Sequence, residues 1–235
     1  APGPRSTRFT KIDITADGTV WTCFGDRDRV IGVVQRLQDG IWSIYNKGIK
    51  DVLFHPNSIS LDRKNNLLVA VWGDKYGMYV IENNGDVGSD TLLVPLDPTR
   101  EVIKETIKRE WEACPDVTQD SRGNIWVANL QLDPDDTESG GAKHNLEPIP
   151  TSGAVVLDGY PIKKYRHFSP ASGDIATAKI FKICADDDGW VWMGTLTQGL
   201  MAVRYGDDPY DTAQSTVKHH LMTADGLYSL RVTAI

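Results

Sequence analysis

Four ten-residue segments of this chain align without a gap: Ile12-Asp-Ile-Thr-Ala-Asp-Gly-Thr-Val-Trp21, Ile59-Ser-Leu-Asp-Arg-Lys-Asn-Asn-Leu-Leu68, Val117-Thr-Gln-Asp-Ser-Arg-Gly-Asn-Ile-Trp126 and Ile183-Cys-Ala-Asp-Asp-Asp-Gly-Trp-Val-Trp192. Such a repeat constrains the fold strongly, because each copy is one supersecondary unit that buries its apolar face only against a neighbouring copy. The seventh position is Gly18, Asn65, Gly123 and Gly189, residue types that tolerate positive φ, set between two short apolar runs. That combination predicts a hairpin turn. The tenth position is Trp21, Leu68, Trp126 and Trp192, each followed by strand-forming residues, so one large side chain per unit fills the same layer.

Two more strand-like runs follow each hairpin, at 30–37 and 41–45, 78–82 and 91–96, 154–157 and 162–168, and 200–205 and 216–221. Four strands per unit, met four times, predict an all-β propeller of four-stranded antiparallel blades. The expected blades are 9–55, 56–113, 114–179 and 180–228. An apolar residue stands three positions before three of the starts, at Phe9, Cys114 and Ile180, and Val232-Thr-Ala-Ile235 repeats that spacing. Residues 229–235 are therefore expected to open a fifth blade, so that the chain is one portion of a larger propeller, four blades and one strand long.

The starts at 12, 59, 117, 183 and 235 lie 47, 58, 66 and 52 residues apart, above the roughly 40–50 of typical blade repeats. The excess falls in two places. Behind Pro98 and Thr99, the residues Val102, Ile103, Ile107 and Trp111 recur at helical spacing among charged residues, which predicts a short amphipathic helix. The stretch 131–144 is polar and aperiodic and predicts a long loop. In a propeller the loop between strands two and three and the segment leading to the next blade emerge on one edge, so both insertions decorate one face.

That face collects polar and aromatic side chains. After the second strands come Arg27 and Arg29, Lys75 and Tyr76, Asn129, and Gln198, groups suited to hydrogen bonding with a polar ligand. Trp72, Tyr76 and Trp111 stand ready to stack on sugar rings. Together these eight residues form the expected ligand-binding set.

Other chemistry is weaker. The acidic residues Asp133, Asp135, Asp136 and Glu138 lack the ligand order of a calcium loop, and Asp186, Asp187 and Asp188 occupy turn positions of the repeat. His55, His144, His167, His219 and His220 show no metalloprotease spacing, and the last two face opposite ways on one strand. No nucleophile elbow, phosphate loop or zinc-helix motif is present. No catalytic residue, metal or cofactor is expected. Cys23, Cys114 and Cys184 read as packed thiols, with pairing left open.

The charge balance, 25 Lys and Arg against 32 Asp and Glu for a formal net charge of -7, provides no basic field for nucleic acid. No apolar run approaches the roughly 20 residues that span a bilayer, so no transmembrane segment is expected in this chain.

The pattern of an apolar pair, then Asp-x-x-Gly-x-Φ-Trp-Φ-Gly-Thr and a following Gly-Leu, resembles the two-component-regulator propeller repeat. Its best copy is Ile180-Phe-Lys-Ile-Cys-Ala-Asp-Asp-Asp-Gly-Trp-Val-Trp-Met-Gly-Thr195 with Gly199-Leu200; residues 114–129 are a good second. The first copy has Thr15 in place of the Asp, and the second has Asn65 for Gly and Leu68 for Trp. The resemblance implies a non-catalytic module in the periplasm or at the bacterial cell surface. Such a module binds a glycan or lipopolysaccharide-type ligand, or partner proteins as in PorZ-like components of the type IX secretion system. The alternatives it implies are the ligand-sensing periplasmic region of a hybrid two-component regulator and, second, a propeller lyase or lactonase. The enzymes require a His or carboxylate cluster at the central mouth.

Overall fold

A computed structural model describes residues 9–26, 31–45, 56–74, 77–85, 89–93, 112–130, 153–177, 179–211 and 217–235. The expected helix at 98–111 and loop at 131–144, with Asp133, Asp135, Asp136, Glu138, His55 and His144, lie outside them.

Blade 1 consists of β1 (Lys11–Ile14), β2 (Val20–Asp26), β3 (Ile31–Gln38) and β4 (Ile41–Tyr45), paired antiparallel in chain order. Blade 2 contains β5 (Pro56–Leu61), β6 (Leu67–Asp74), β7 (Met78–Glu82) and β8 (Thr91–Leu93), with β9 (Glu112–Ala113) added to β6. Blade 3 is β10 (Val117–Gln119), β11 (Ile125–Asn129), β12 (Gly153–Leu157) and β13 (Tyr165–Phe168). Blade 4 is β14 (Ile180–Ala185), β15 (Trp190–Thr195), β16 (Leu200–Arg204) and β17 (Val217–Leu221). Each sheet is a meander, so the four units read from the repeat are the four sheets.

The fourth and tenth repeat positions explain why the hairpin recurs. Asp62 Oδ1 accepts from the N–H groups of Lys64 and Asn66 at 2.8 Å, and Asp120 Oδ1 accepts from Arg122 and Asn124 at 2.9 Å. Asp186 Oδ1 accepts from Trp190 N at 2.9 Å. One carboxylate oxygen thus closes each turn, and Gly123 at φ 92° provides the left-handed residue it needs. The other oxygen reaches across to the tenth residue: Trp126 Nε1 and Trp192 Nε1 each donate to it at 2.8 Å. Blade 1 has Thr15 instead, and its buried Trp21 Nε1 has no hydrogen-bond partner among the described residues.

Strand pleating sends successive side chains to opposite faces, and the blades use both faces. Leu67, Val69 and Val71 pack with Trp21, Cys23 and Tyr45 of blade 1, whereas Leu68 and Ala70 pack with Ile125 and Val127 of blade 3. Trp126 and Ala128 face blade 4 and meet Ile183, Val191 and Met193. Three apolar layers therefore bind four blades in series. Among the described residues no strand pairing and no core layer joins blade 4 to blade 1.

Candidate functional site

Topology decides which loops share an edge. Strand β9 lies along the far end of β6, with Trp72 opposite Ala113 and Asp74 opposite Glu112, and Cys114 N donates to the Val71 carbonyl at 3.3 Å. The segment that enters blade 3 thus runs beside the second-strand end of blade 2. At this junction the second-strand end and the blade connector lie side by side.

Of the expected ligand-binding set, Arg27, Arg29, Lys75, Tyr76 and Trp111 lie outside the described residues, and Trp72 is placed by its backbone in β6. Asn129 ends β11 opposite Gly153 and is fully buried, because all of β11 is enclosed between neighbouring blades. Gln198 is partly exposed in the turn after β15, where its N–H donates to Thr195 Oγ1 at 2.8 Å. Trp72, Asn129 and Gln198 all stand at second-strand ends, on the same edge of the arc.

The axis carries a different cluster that spacing alone did not reveal. Asp116, 1% exposed, accepts from Ser58 Oγ of blade 2, from Val117 N at 3.1 Å and from Ile183 N of blade 4 at 3.1 Å. Lys182 Nζ lies 3.8 Å from Oδ2, the oxygen that accepts from Ile183 N, while Ser58 and Val117 engage Oδ1. Asn57 Nδ2 donates to the Pro115 carbonyl at 2.7 Å. This carboxylate is a structural knot between three blades, with its lone pairs already engaged. The sequence signal was available, because Asp116 directly precedes a repeat start, but its partners are 58 and 67 residues distant.

The cysteines are free thiols, two buried and Cys184 intermediate. Burial pushes the Cys23 thiol up to about 11, against the opposing effect of its contact with Thr10. Cys184 is likewise raised by burial. For Asp186, partial burial works upward, but the Trp192 indole and the backbone N–H groups of its turn hold the carboxyl below the ordinary range.

On the opposite edge a cleft of about 370 Å³ opens between blades 2 and 3, lined among others by Asp62, Arg63, Lys64, Asp158, Tyr160 and Lys163. Its floor is a latch: Tyr160 of blade 3 donates to Asp62 Oδ2 of blade 2 at 2.6 Å, and Asn66 Nδ2 donates to the Tyr160 hydroxyl at 2.6 Å. The next pair of blades repeats it. Tyr205 of blade 4 donates to Asp120 Oδ2 of blade 3, accepts from Asn124 Nδ2 at 3.0 Å, and stacks on Trp126 with ring centroids 5.7 Å apart. Both tyrosine hydroxyls are pushed up, first by burial and then by the adjoining carboxylate.

The described histidines are divided between blade 3, with His167 in β13, and blade 4, with His219 and His220 in β17. His219 and His220 oppose Ala202 and Met201 and so point to opposite faces of β17. His219 lies 4.7 Å from the Trp190 ring, and His220 Nε2 meets the Gln198 carbonyl. Among the described residues no three His, Cys, Asp or Glu side chains are grouped to hold a metal ion, and no helix is long and apolar enough to cross a membrane.

No family model and no curated protein matches the sequence. Solved structures do match. The extracellular domain of a hybrid two-component system of B. thetaiotaomicron superposes with a TM-score of 0.54 at 15% identity, over 98% of this chain and 24% of that one. The fold is that of a β-propeller. PorZ, an essential bacterial surface component of the type IX secretion system of Porphyromonas gingivalis, gives a TM-score of 0.46 at 14% identity, over 86% of this chain and 33% of that one. The extracellular domain of a one-component system of B. thetaiotaomicron gives 0.42 at 12% identity, over 92% and 31%. The likeness to two-component-regulator propellers read from the repeat is thus matched in three dimensions, and the chain spans 24% of the first of these structures.

Proposed function

We propose that the chain is a non-catalytic recognition portion of a larger extracytoplasmic protein, periplasmic or on the cell surface, and that its edge of second-strand loops and blade connectors binds a glycan or lipopolysaccharide-type ligand. The observation that carries this reading is the pairing of β9 with the end of β6. It supports a single edge shared by the loops that bear Arg27, Arg29, Lys75 and Tyr76 and by the connector that follows Trp111. Cationic and hydrogen-bonding groups beside aromatic rings suit the hydroxyls, acidic groups and ring faces of such ligands.

Among the described residues, the buried carboxylate at the inner strands, Asp116, is engaged by Ser58, Val117, Ile183 and Lys182, which supports a structural role for it in joining blades. A sensing role in a hybrid two-component regulator is supported by the likeness to an extracellular domain of that kind across 98% of this chain. The other parent, a PorZ-like secretion component, would use the same edge for partner proteins.

The test is binding of immobilised lipopolysaccharide and of neutral and acidic oligosaccharides to the protein, before and after joint alanine substitution of Arg27, Arg29, Lys75, Tyr76 and Trp111. Loss of binding with unchanged circular dichroism is expected. Unchanged affinity would remove this edge as the site.

A further inference from the structure

Three features mark the handovers into blades 3 and 4, and the outer face of blade 4 repeats the first two in full and the acceptor half of the third. The first is an apolar anchor over a small residue. Cys114, three positions before the start of blade 3, packs in the same layer as Ala70 of blade 2. Ile180, three before the start of blade 4, packs with Ala128 of blade 3. Val232, three before Ile235, lies over Gly194 of blade 4, so closely that a Cβ on that glycine would meet Val232 Cγ1 at 2.9 Å.

The second is a backbone hydrogen bond at one repeat position. Cys114 N donates to the carbonyl of Val71, the third residue after Leu68, at 3.3 Å; Val232 N donates to the carbonyl of Thr195, the third residue after Trp192, at 2.8 Å. Gly199 N also donates to the Leu230 carbonyl at 2.8 Å. The segment 230–235 therefore occupies the station of a blade connector.

The third is the latch. Asp62 and Asp120 each accept a tyrosine hydroxyl from the following blade, and both are buried. Asp186 holds the same place in blade 4 and binds the Trp192 indole in the same way, but no tyrosine reaches it among the described residues. Trp21, Leu68 and Trp126 are 0% exposed, each covered by the next blade. Trp192 and its neighbour Trp190 are only partly buried.

From these recurrences we propose that the outer face of blade 4 is the seat of a fifth blade, entered through residues 232–235, which delivers a tyrosine from just beyond its third strand onto Trp192 and Asp186, as Tyr160 follows β12 and Tyr205 follows β16. The inference concerns assembly of the propeller and holds whether or not the loop edge binds a glycan. Blade 1, of this chain or of a second copy, does not fit the latch: its third strand runs into Gln38, Asp39 and Gly40, with no tyrosine where Tyr160 and Tyr205 stand.

Two measurements test the proposal. In the 235-residue chain, acrylamide quenching of the Trp192 signal, taken as the difference between the protein and its Trp192→Phe variant, is expected to show an accessible indole at every protein concentration. Shielding that grows with concentration, together with dimer formation, would overturn the proposal in favour of a second copy. Shielding in the monomer would overturn it in favour of ring closure by blade 1.

The second measurement lengthens the chain by a repeat of its own residues 184–235 placed after Ile235, which stands where Ile183 stands. A several-fold fall in Trp192 quenching is expected, reversed when the tyrosine of the added copy that corresponds to Tyr205 becomes leucine. A folded, lengthened chain whose Trp192 stays open to acrylamide would also overturn the proposal. If the added copy does not fold, the quenching of the shorter chain still decides.

Discussion

The aspartate at the fourth repeat position has two roles in one side chain, and each carboxylate oxygen has its own. Asp120 closes its turn with Oδ1, while Oδ2 takes the Trp126 indole and the Tyr205 hydroxyl. Replacing it with alanine leaves two buried donors without an acceptor, each costing about 1–3 kcal/mol. Asp120→Ala is thus expected to lose roughly 3 kcal/mol or more in urea denaturation. Blade 1 offers the converse experiment. Thr15 caps its turn through Thr19 and Asp17 but leaves Trp21 Nε1 unpartnered among the described residues. Thr15→Asp provides the missing acceptor, and Asp188 beside Asp186 in blade 4 is a precedent for the pair it would form with Asp17. A gain of about 1 kcal/mol, read as a higher urea midpoint at unchanged m-value, is expected.

At the scale of elements, the described ends of the connectors into blades 3 and 4 and the tail after β17 share a small residue beneath an apolar anchor. The tail after β17 contains only the short helical turn Thr223–Asp225 and no strand, yet it is fastened at Val232 N and Leu230 O. Gly194 makes that approach possible, because any Cβ there collides with the Val232 backbone and side chain. Gly194→Ala is expected to release 229–235 while leaving blade 4 folded. Hydrogen exchange would report it: the Val232 and Gly199 amides lose protection and the β15–β16 amides keep it. Loss of protection throughout blade 4 would instead show that the tail is part of the blade's own stability.

For the whole molecule, the arrangement is a series of blades, each stabilised by its neighbours, as in other repeat proteins. Cys23 and Cys114 lie in different inter-blade layers, those of blades 1–2 and 2–3, and both are 0% exposed. Cys184 is partly exposed on the outer side of blade 4, opposite Trp192. At pH 8 a thiol reagent is expected to modify Cys184 first and the other two only when their layers open, since the raised Cys23 thiol is both protonated and shielded. Equal rates for Cys23 and Cys114 would mean that the arc opens as one unit, helped by the Asp116 knot across blades 2, 3 and 4. A faster Cys23 would mean that blade 1 peels away alone.

Sequence by itself determined the blade, because everything that makes one is local. The turn residue, the aspartate cap and the tenth-position aromatic all fall within ten residues. The pleat then sorts alternate side chains to two faces whatever lies beyond them, so strand runs such as 41–45 and 78–82 coincide with β4 and β7. It also showed that second-strand ends and connectors share an edge, since that follows from meander order alone. Only the tertiary structure decided which polar groups on that order are available. Asn129 and Gln198 occupy corresponding stretches after the tenth residue, yet one is enclosed between blades and the other lies in an open turn. The Asp116 knot and the tyrosine latches bring together residues 58 to 98 positions apart. Burial and long-range pairing depend on what the neighbouring blade places opposite each side chain, which no ten-residue pattern contains.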